Sequence, residues 1–395
     1  MRGAPFFGLT LAVAAAFAAS AEPAKQAADK RTAAEQTEWK WELPKYIPPP
    51  RVPADNPMSE EKFQLGRRLF FDKRVSGNAT ISCSSCHLQE RAFTDGRVVS
   101  VGSTGDKTPR NAPSIVNSGW RATLTWANPA LVTLERQMEN PLYGERPIEM
   151  GVNDANKAEI VARFRNDADY VKWFAAAFPE KKPAEQISFE TIIKAISAFQ
   201  RGVVSFDSRY DQYLQGKIKL TEAEQRGHDL YFGEKAECHH CHGSVDLDDQ
   251  FVHAKTREAE TPFHNTGLYD IDGKGAYPEP NRGLYDVTQD PDDMGKFRAP
   301  SLRNIAMTAP YMHDGTVATL EEVIDIYARG GRKIETGPAK GDGALNPLKS
   351  PLIVKIDLSP QEKADLLAFL KALTDESLLT SPRFSDPWKA QAAKK

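Results

Sequence analysis

The sequence predicts a mainly α-helical protein built from two similar helical units with long ordered loops. Three observations predict it. One motif, Cys-x-x-Cys-His, occurs twice and uses every cysteine of the chain. The stretch ahead of each copy carries the same helix-forming pattern. Strand-like alternation of polar and apolar residues is scarce elsewhere.

The chain has 395 residues, a formal net charge of -3 and 40% hydrophobic content, enough for a core in each of two domains. No basic block or stripe is present, so nothing points to nucleic acid. The N-terminus reads as a secretory signal over residues 1–21. Arg2 supplies the positive charge, residues 6–18 are apolar, and Ala19-Ser20-Ala21 fits the small-residue cleavage pattern. The apolar run is too short to span a bilayer, which argues against an anchor and for export to the periplasm. Residues 22–56 are polar and Pro-rich, with Pro48-Pro49-Pro50, and read as an extended arm.

Residues 59–71 read S-E-E-K-F-Q-L-G-R-R-L-F-F and residues 221–232 read T-E-A-E-Q-R-G-H-D-L-Y-F. Each opens with a capping hydroxyl and early acids, a helix start. Both share G-x-x-L-[FY]-F, carried by Gly66, Leu69 and Phe71 and by Gly227, Leu230 and Phe232. The motifs follow as Cys83-Ser84-Ser85-Cys86-His87 and Cys238-His239-His240-Cys241-His242.

C-x-x-C-H is the attachment signature of c-type haem. The two thiols bond the porphyrin vinyl groups, and the histidine reaches the iron as a neutral imidazole. Zinc held by two C-x-x-C pairs would leave both histidines surplus. A thioredoxin-like redox pair would explain one copy, not two. The expected fold is therefore two cytochrome c-like helical haem domains, over 57–215 and 216–380, with a C-terminal tail over 381–395. The expected cofactors are two covalently bound haems c. Residues 188–203 carry a helical apolar stripe, and Ser359-Pro360-Gln361-Glu362 is a capping box that opens another helix. Residues 243–300 are dense in Asp, Gly and Pro and read as a long ordered loop, within which Asp270-Ile271-Asp272-Gly273 reads as a turn.

What a haem does depends on its sixth ligand. Up to residue 227 the only histidine is His87, already used on the proximal side. Methionines there are Met58, Met138 and Met150. The first haem is therefore expected to keep an open, reactive face. For the second haem, Met294, Met307, Met312, His253, His264, His313 and several tyrosines all qualify, and spacing does not choose among them.

The chain resembles the bacterial di-haem cytochrome c peroxidase and MauG superfamily from about residue 58 to 375. The resemblance is carried by Gly77-Asn78-Ala79-Thr80, Arg91-Ala92-Phe93-Thr94-Asp95, Arg110-Asn111-Ala112-Pro113, Phe263-His264-Asn265-Thr266-Gly267-Leu268, Phe297-Arg298-Ala299-Pro300-Ser301-Leu302-Arg303-Asn304 and Pro310-Tyr311-Met312-His313-Asp314-Gly315. It implies Tyr327 as ligand to the second iron, where peroxidases of the family usually place methionine. It implies Trp126 between the haems, Gln137, Pro141 and Glu149 at the distal side of the first, and a calcium ion held by Asn111 and the carbonyls of Thr308 and Pro310. The surface tryptophan that MauG carries before its second motif is replaced by Lys235-Ala236-Glu237. Residues 126–150 look instead like the MbnH branch, the methanobactin-associated di-haem enzymes. That resemblance implies a hydrogen-peroxide-dependent oxidase whose high-valent state, shared by both haems, oxidises a tryptophan of a periplasmic partner protein (MbnP-like) to kynurenine. The alternative is a peroxidase fed by a small cytochrome or cupredoxin.

Overall fold

The computed structural model describes residues 38–392, so the expected signal segment, the start of the arm and the last three residues lie outside the described residues. Two helix pairs organise the chain. The Glu60–Phe71 helix starts at Ser59, whose side chain accepts the Lys62 N–H, with Glu60 and Glu61 favourably placed in its first turn. It crosses the Phe189–Gly202 helix, which opens with a Ser188/Thr191 capping box and is the apolar stripe expected over 188–203. The second pair repeats the arrangement. The Glu222–Phe232 helix, boxed by Thr221 and Glu224, crosses the Pro360–Ala372 helix, boxed by Ser359 and Glu362 with Pro at its first position.

The glycine of the internal repeat marks each crossing. A Cβ on Gly66 would lie 1.9 Å from the Ala195 carbonyl oxygen, and one on Gly227 would lie 2.0 Å from that of Asp365. No side chain fits at either place, so the two backbones touch. Phe63, Phe70, Ile192, Ile196 and Phe199 close the first core around one crossing. Tyr231, Leu366, Phe369 and Leu370 close the second around the other.

The remaining elements are short. Among the described residues the only paired strands are Lys333–Ile334 and Gly341–Asp342, antiparallel, with Lys333 opposite Asp342. Residues 243–300 form the expected ordered loop. Buried Asn265 ties it together, accepting from the Tyr277 hydroxyl at 2.8 Å and donating to the Met294 carbonyl at 2.9 Å. Asp272 accepts the N–H groups of Lys274 and Ala276, which makes 270–273 the turn it was read as.

Both ends of the described chain lie on the cores. Trp39 packs against Phe63 at 5.2 Å between ring centres, and Trp120 donates its indole N–H to the Pro48 carbonyl at 2.7 Å. Phe384 is buried in the first core, and Trp388 lies 6.1 Å from Trp173. Phe384 and Trp388 thus lie on the first core, although they follow the second helix pair in sequence.

Placing a methyl group at either crossing must push two backbones apart. Gly66→Ala and Gly227→Ala are each expected to cost about 1–3 kcal/mol or more, the range for overpacking a close-packed site. Thermal unfolding of the two variants checks this, and an unshifted midpoint would contradict the crossing geometry.

Candidate haem centres

The first motif sits on a tight turn. The Ser82 N–H donates to the Ser85 hydroxyl at 3.0 Å, and the Cys83 carbonyl accepts from Cys86 and His87. The next residues, Arg91-Ala92-Phe93, fold the chain back with Ala92 and Phe93 at φ +49° and +62°. That left-handed backbone is costly for non-glycine residues and serves a purpose here. It turns the Phe93 carbonyl toward His87 Nδ1, 2.8 Å away. The second motif repeats the device. His242 Nδ1 lies 3.1 Å from the carbonyl of Leu247, whose φ is +56°.

A carbonyl can only accept, so in each case Nδ1 carries the proton and Nε2 keeps its lone pair. Burial lowers both imidazole pKa values, which keeps the rings neutral. A neutral ring with Nδ1–H anchored and Nε2 bare is the form that ligates iron. The residues therefore fit the expected haems. Phe93 and Leu247, the orienting residues, were not singled out in the sequence. Only their positive-φ backbone marks them, and that is not legible from composition.

The cysteine surroundings argue against the other uses of these motifs. All four thiols are free. Burial pushes Cys83 up to about 12 and Cys238 to about 11, the opposite of an activated redox thiol. Among the described residues no site gathers cysteines from both motifs; the one metal-like group is Cys241, Asp249 and His264. In it His264 Nε2 pairs with Asp249 at 2.5 Å, so this candidate sixth ligand is already engaged.

The second motif opens into a large cavity. Cys238, Cys241, His242, Tyr231, Ile324, Tyr327, Leu366 and Leu370 line it, as do Met312 and His313. Tyr327 stands on the Leu320–Arg329 helix, which a Thr319/Glu322 capping box starts and which buries Leu320, Ile324 and Ala328. Its phenol lies near both Cys238 and Cys241, and burial raises its pKa well above the usual value. Ionising it would take a cation close by. His313 is buried and stacked on Phe297 at 3.6 Å between ring centres. His253 faces a separate surface cleft with His239 and His240.

The cavity extends toward the first motif as far as Thr94, next to Phe93. Trp126 and Asn111 line that part, and the Trp126 indole donates to the Asn111 carbonyl at 2.9 Å. Thr308 and Pro310 line it as well. Asn111 donates its amide to the Arg97 carbonyl at 2.6 Å, which turns the side-chain oxygen away from that bond. Among the described residues this oxygen and the carbonyls of Thr308 and Pro310 accept no hydrogen bond.

At the first centre Gln137 belongs to the Leu134–Tyr143 helix, whose Met138 and Leu142 are buried in the first core. Glu149 is held beside the end of that helix because the Met150 N–H donates to the Pro141 carbonyl at 2.8 Å. Its carboxyl feels both Cys83 and Cys86, and burial raises its pKa. Among the described residues no hydrogen bond joins Gln137 to Glu149. Met138 and Met150 are themselves packed in the core.

Two C-x-x-C-H turns, each presenting a bare imidazole nitrogen from its own helical core, define a di-haem c-type cytochrome. The sequence profile of the di-haem cytochrome c peroxidases, CCP_MauG, matches residues 60–219. The cytochrome-c peroxidase IdrP1 of Denitromonas iodatirespirans is 37% identical over 355 residues, 86% of this chain and 87% of the relative. The methylamine utilization protein MauG of Methylorubrum extorquens is 30% identical over 345 residues, 86% of this chain and 85% of the relative. A crystal structure of a MauG-like protein associated with microbial copper homeostasis is 82% identical, with a TM-score of 0.88, and the match covers 89% of this chain and 100% of that one. The chain belongs to the di-haem cytochrome c peroxidase and MauG family, and it is an oxidoreductase of that family, which implies two c-type haems.

Each motif should account for one haem. Replacing Cys83 and Cys86 by serine is expected to halve the covalently bound haem per chain, read by alkaline pyridine absorbance. Retention of two haems would show that the first motif is not an attachment site.

Proposed function

We propose that this protein is a hydrogen-peroxide-dependent di-haem oxidase that oxidises a tryptophan on a partner protein to kynurenine. Cys83, Cys86 and His87 hold one haem, and Cys238, Cys241 and His242 hold the other, with Tyr327 as the second iron's remaining ligand. The carrying observation is Tyr327, half-buried, whose phenol lines the cavity of the second motif near both thiols. When bound, the haems supply peroxide reduction and store the two oxidising equivalents it yields.

The chain's own residues do the rest. Glu149 moves a proton between the two oxygens of peroxide, and Gln137, on the Leu134–Tyr143 helix, orients the substrate. Trp126 places an oxidisable indole between the two motifs. Asn111, Thr308 and Pro310 offer three uncommitted oxygens, a donor set suited to calcium. Each peroxide removes two electrons, so opening the indole to N-formylkynurenine takes two turnovers, and hydrolysis then releases formate. The likeness to a protein tied to copper homeostasis supports a partner from that setting, met in the periplasm.

A second reading is a peroxidase that takes electrons from a small cytochrome or cupredoxin. It is favoured by Met312, which lines the same cavity as Tyr327. The two readings part on Tyr327→Phe. Under the oxidase reading the parent responds to peroxide in its fully ferric state, with both Soret bands changing together. Tyr327→Phe then loses the response of the second haem, and the partner's tryptophan keeps its mass. A parent that responds only after partial reduction, with Tyr327→Phe unchanged, would establish the peroxidase instead.

Glu149 also sets a pH dependence. It accepts a proton only when ionised, and its pKa is raised, so the peroxide reaction should speed up as pH rises through that raised value. Glu149→Gln should lose this limb and slow the reaction about 10²–10⁴-fold, the usual weight of a positioned acid-base group. Stopped-flow rates across pH check both parts.

A further inference from the structure

Three arginines line the cavity of the second motif: Arg121, Arg298 and Arg303. Their partners differ. Arg303 is saturated, with Asp211 at 2.8 and 2.9 Å and the Val245 carbonyl at 2.7 Å. Arg298 is 2% exposed, yet it donates only to the carbonyls of Thr125 and Ala299, each at 3.2 Å. Arg121 donates to the carbonyls of Ser114 and Val116, and its Nε has no partner. Among the described residues neither Arg298 nor Arg121 forms an ion pair. Burial, with the like charge of Arg121 nearby, lowers the pKa of Arg298 to about 10.

The neighbouring acids Asp246, Asp248 and Asp249 act on Arg298 only through space, and none of them hydrogen-bonds to Arg298 or Arg121. Asp246 is turned to Asn117 and Arg303, and Asp248 to Ser244. Burial raises the pKa of both, which weakens them as counter-ions. A buried guanidinium without a carboxylate is costly, and its planar fork is shaped for one. A porphyrin fixed by thioethers at one edge carries its two carboxylates at the opposite edge.

We propose that Arg298, assisted by Arg121, is the anion subsite that receives the propionate carboxylates of the porphyrin held by Cys238 and Cys241. This rests on the haem reading of those cysteines. The subsite would do more than hold the ring. A positive charge at the porphyrin edge disfavours the ferric iron, so Arg298 raises the reduction potential of the second haem.

The test uses the full-length mature protein. Bound haem is counted first. Two haems per chain in the parent uphold the attachment reading, whereas a missing second haem would end both that reading and this one. Arg298→Met is then expected to keep both haems, because the thioethers hold them. Its second haem should shift toward ferric at least tenfold at fixed potential, a fall of about 59 mV by spectroelectrochemistry. Its propionate bending band in resonance Raman spectra should move as well, and Arg298→Lys should recover part of both changes. If Arg298→Met folds poorly, Arg121→Met gives the same readings with a smaller fall. Two haems with an unmoved potential and an unmoved propionate band would overturn the proposal and leave buried water as the partner of these arginines.

Discussion

The contact on which the rest depends is backbone against backbone, where Gly66 meets Ala195 and Gly227 meets Asp365. Because no side chain intervenes, each helix pair has one available depth and one available crossing point. The first helix of each pair precedes its C-x-x-C-H turn in the chain, ending at Phe71 ahead of Cys83 and at Phe232 ahead of Cys238. Aromatic packing then finishes the job, with Phe70 6.5 Å from the His87 ring and Tyr231 donating to the His242 carbonyl.

A second constraint acts inside each turn. His87 and His242 are aimed by backbone carbonyls rather than by carboxylates. A carboxylate there would give the imidazole more anionic character and stabilise oxidised iron. A carbonyl orients without adding a charge. The electrostatics of the second centre then fall to other groups in the cavity lining, Tyr327 and the buried arginines.

Much of this was legible in the sequence, and the reasons are physical. The C-x-x-C-H motifs are local, so six residues announce themselves without a fold. The helices at 59–71, 188–203 and 359–373 show because caps and apolar periodicity are also local. The cavity of the second motif was not legible, since Tyr327, Met312 and His313 come together only through tertiary packing. Composition had left His264 open as an iron ligand, and its commitment to Asp249 depends on a contact across fifteen residues of loop. Phe93 and Leu247 were missed because their role lies in a backbone angle and not in a side chain.

The covering of the first core by Leu378, Phe384 and Trp388 has a consequence for biogenesis. These residues follow both helix pairs in the chain, yet they close the first core. A polypeptide emerging N-terminus first would leave Phe63 and its neighbours uncovered until residues 378–388 arrive. With Cys83 and Cys86 as the proposed attachment residues, haem insertion there would have an interval in which that core is still open. Removing residues 378–388 would open the core most distant from them in sequence.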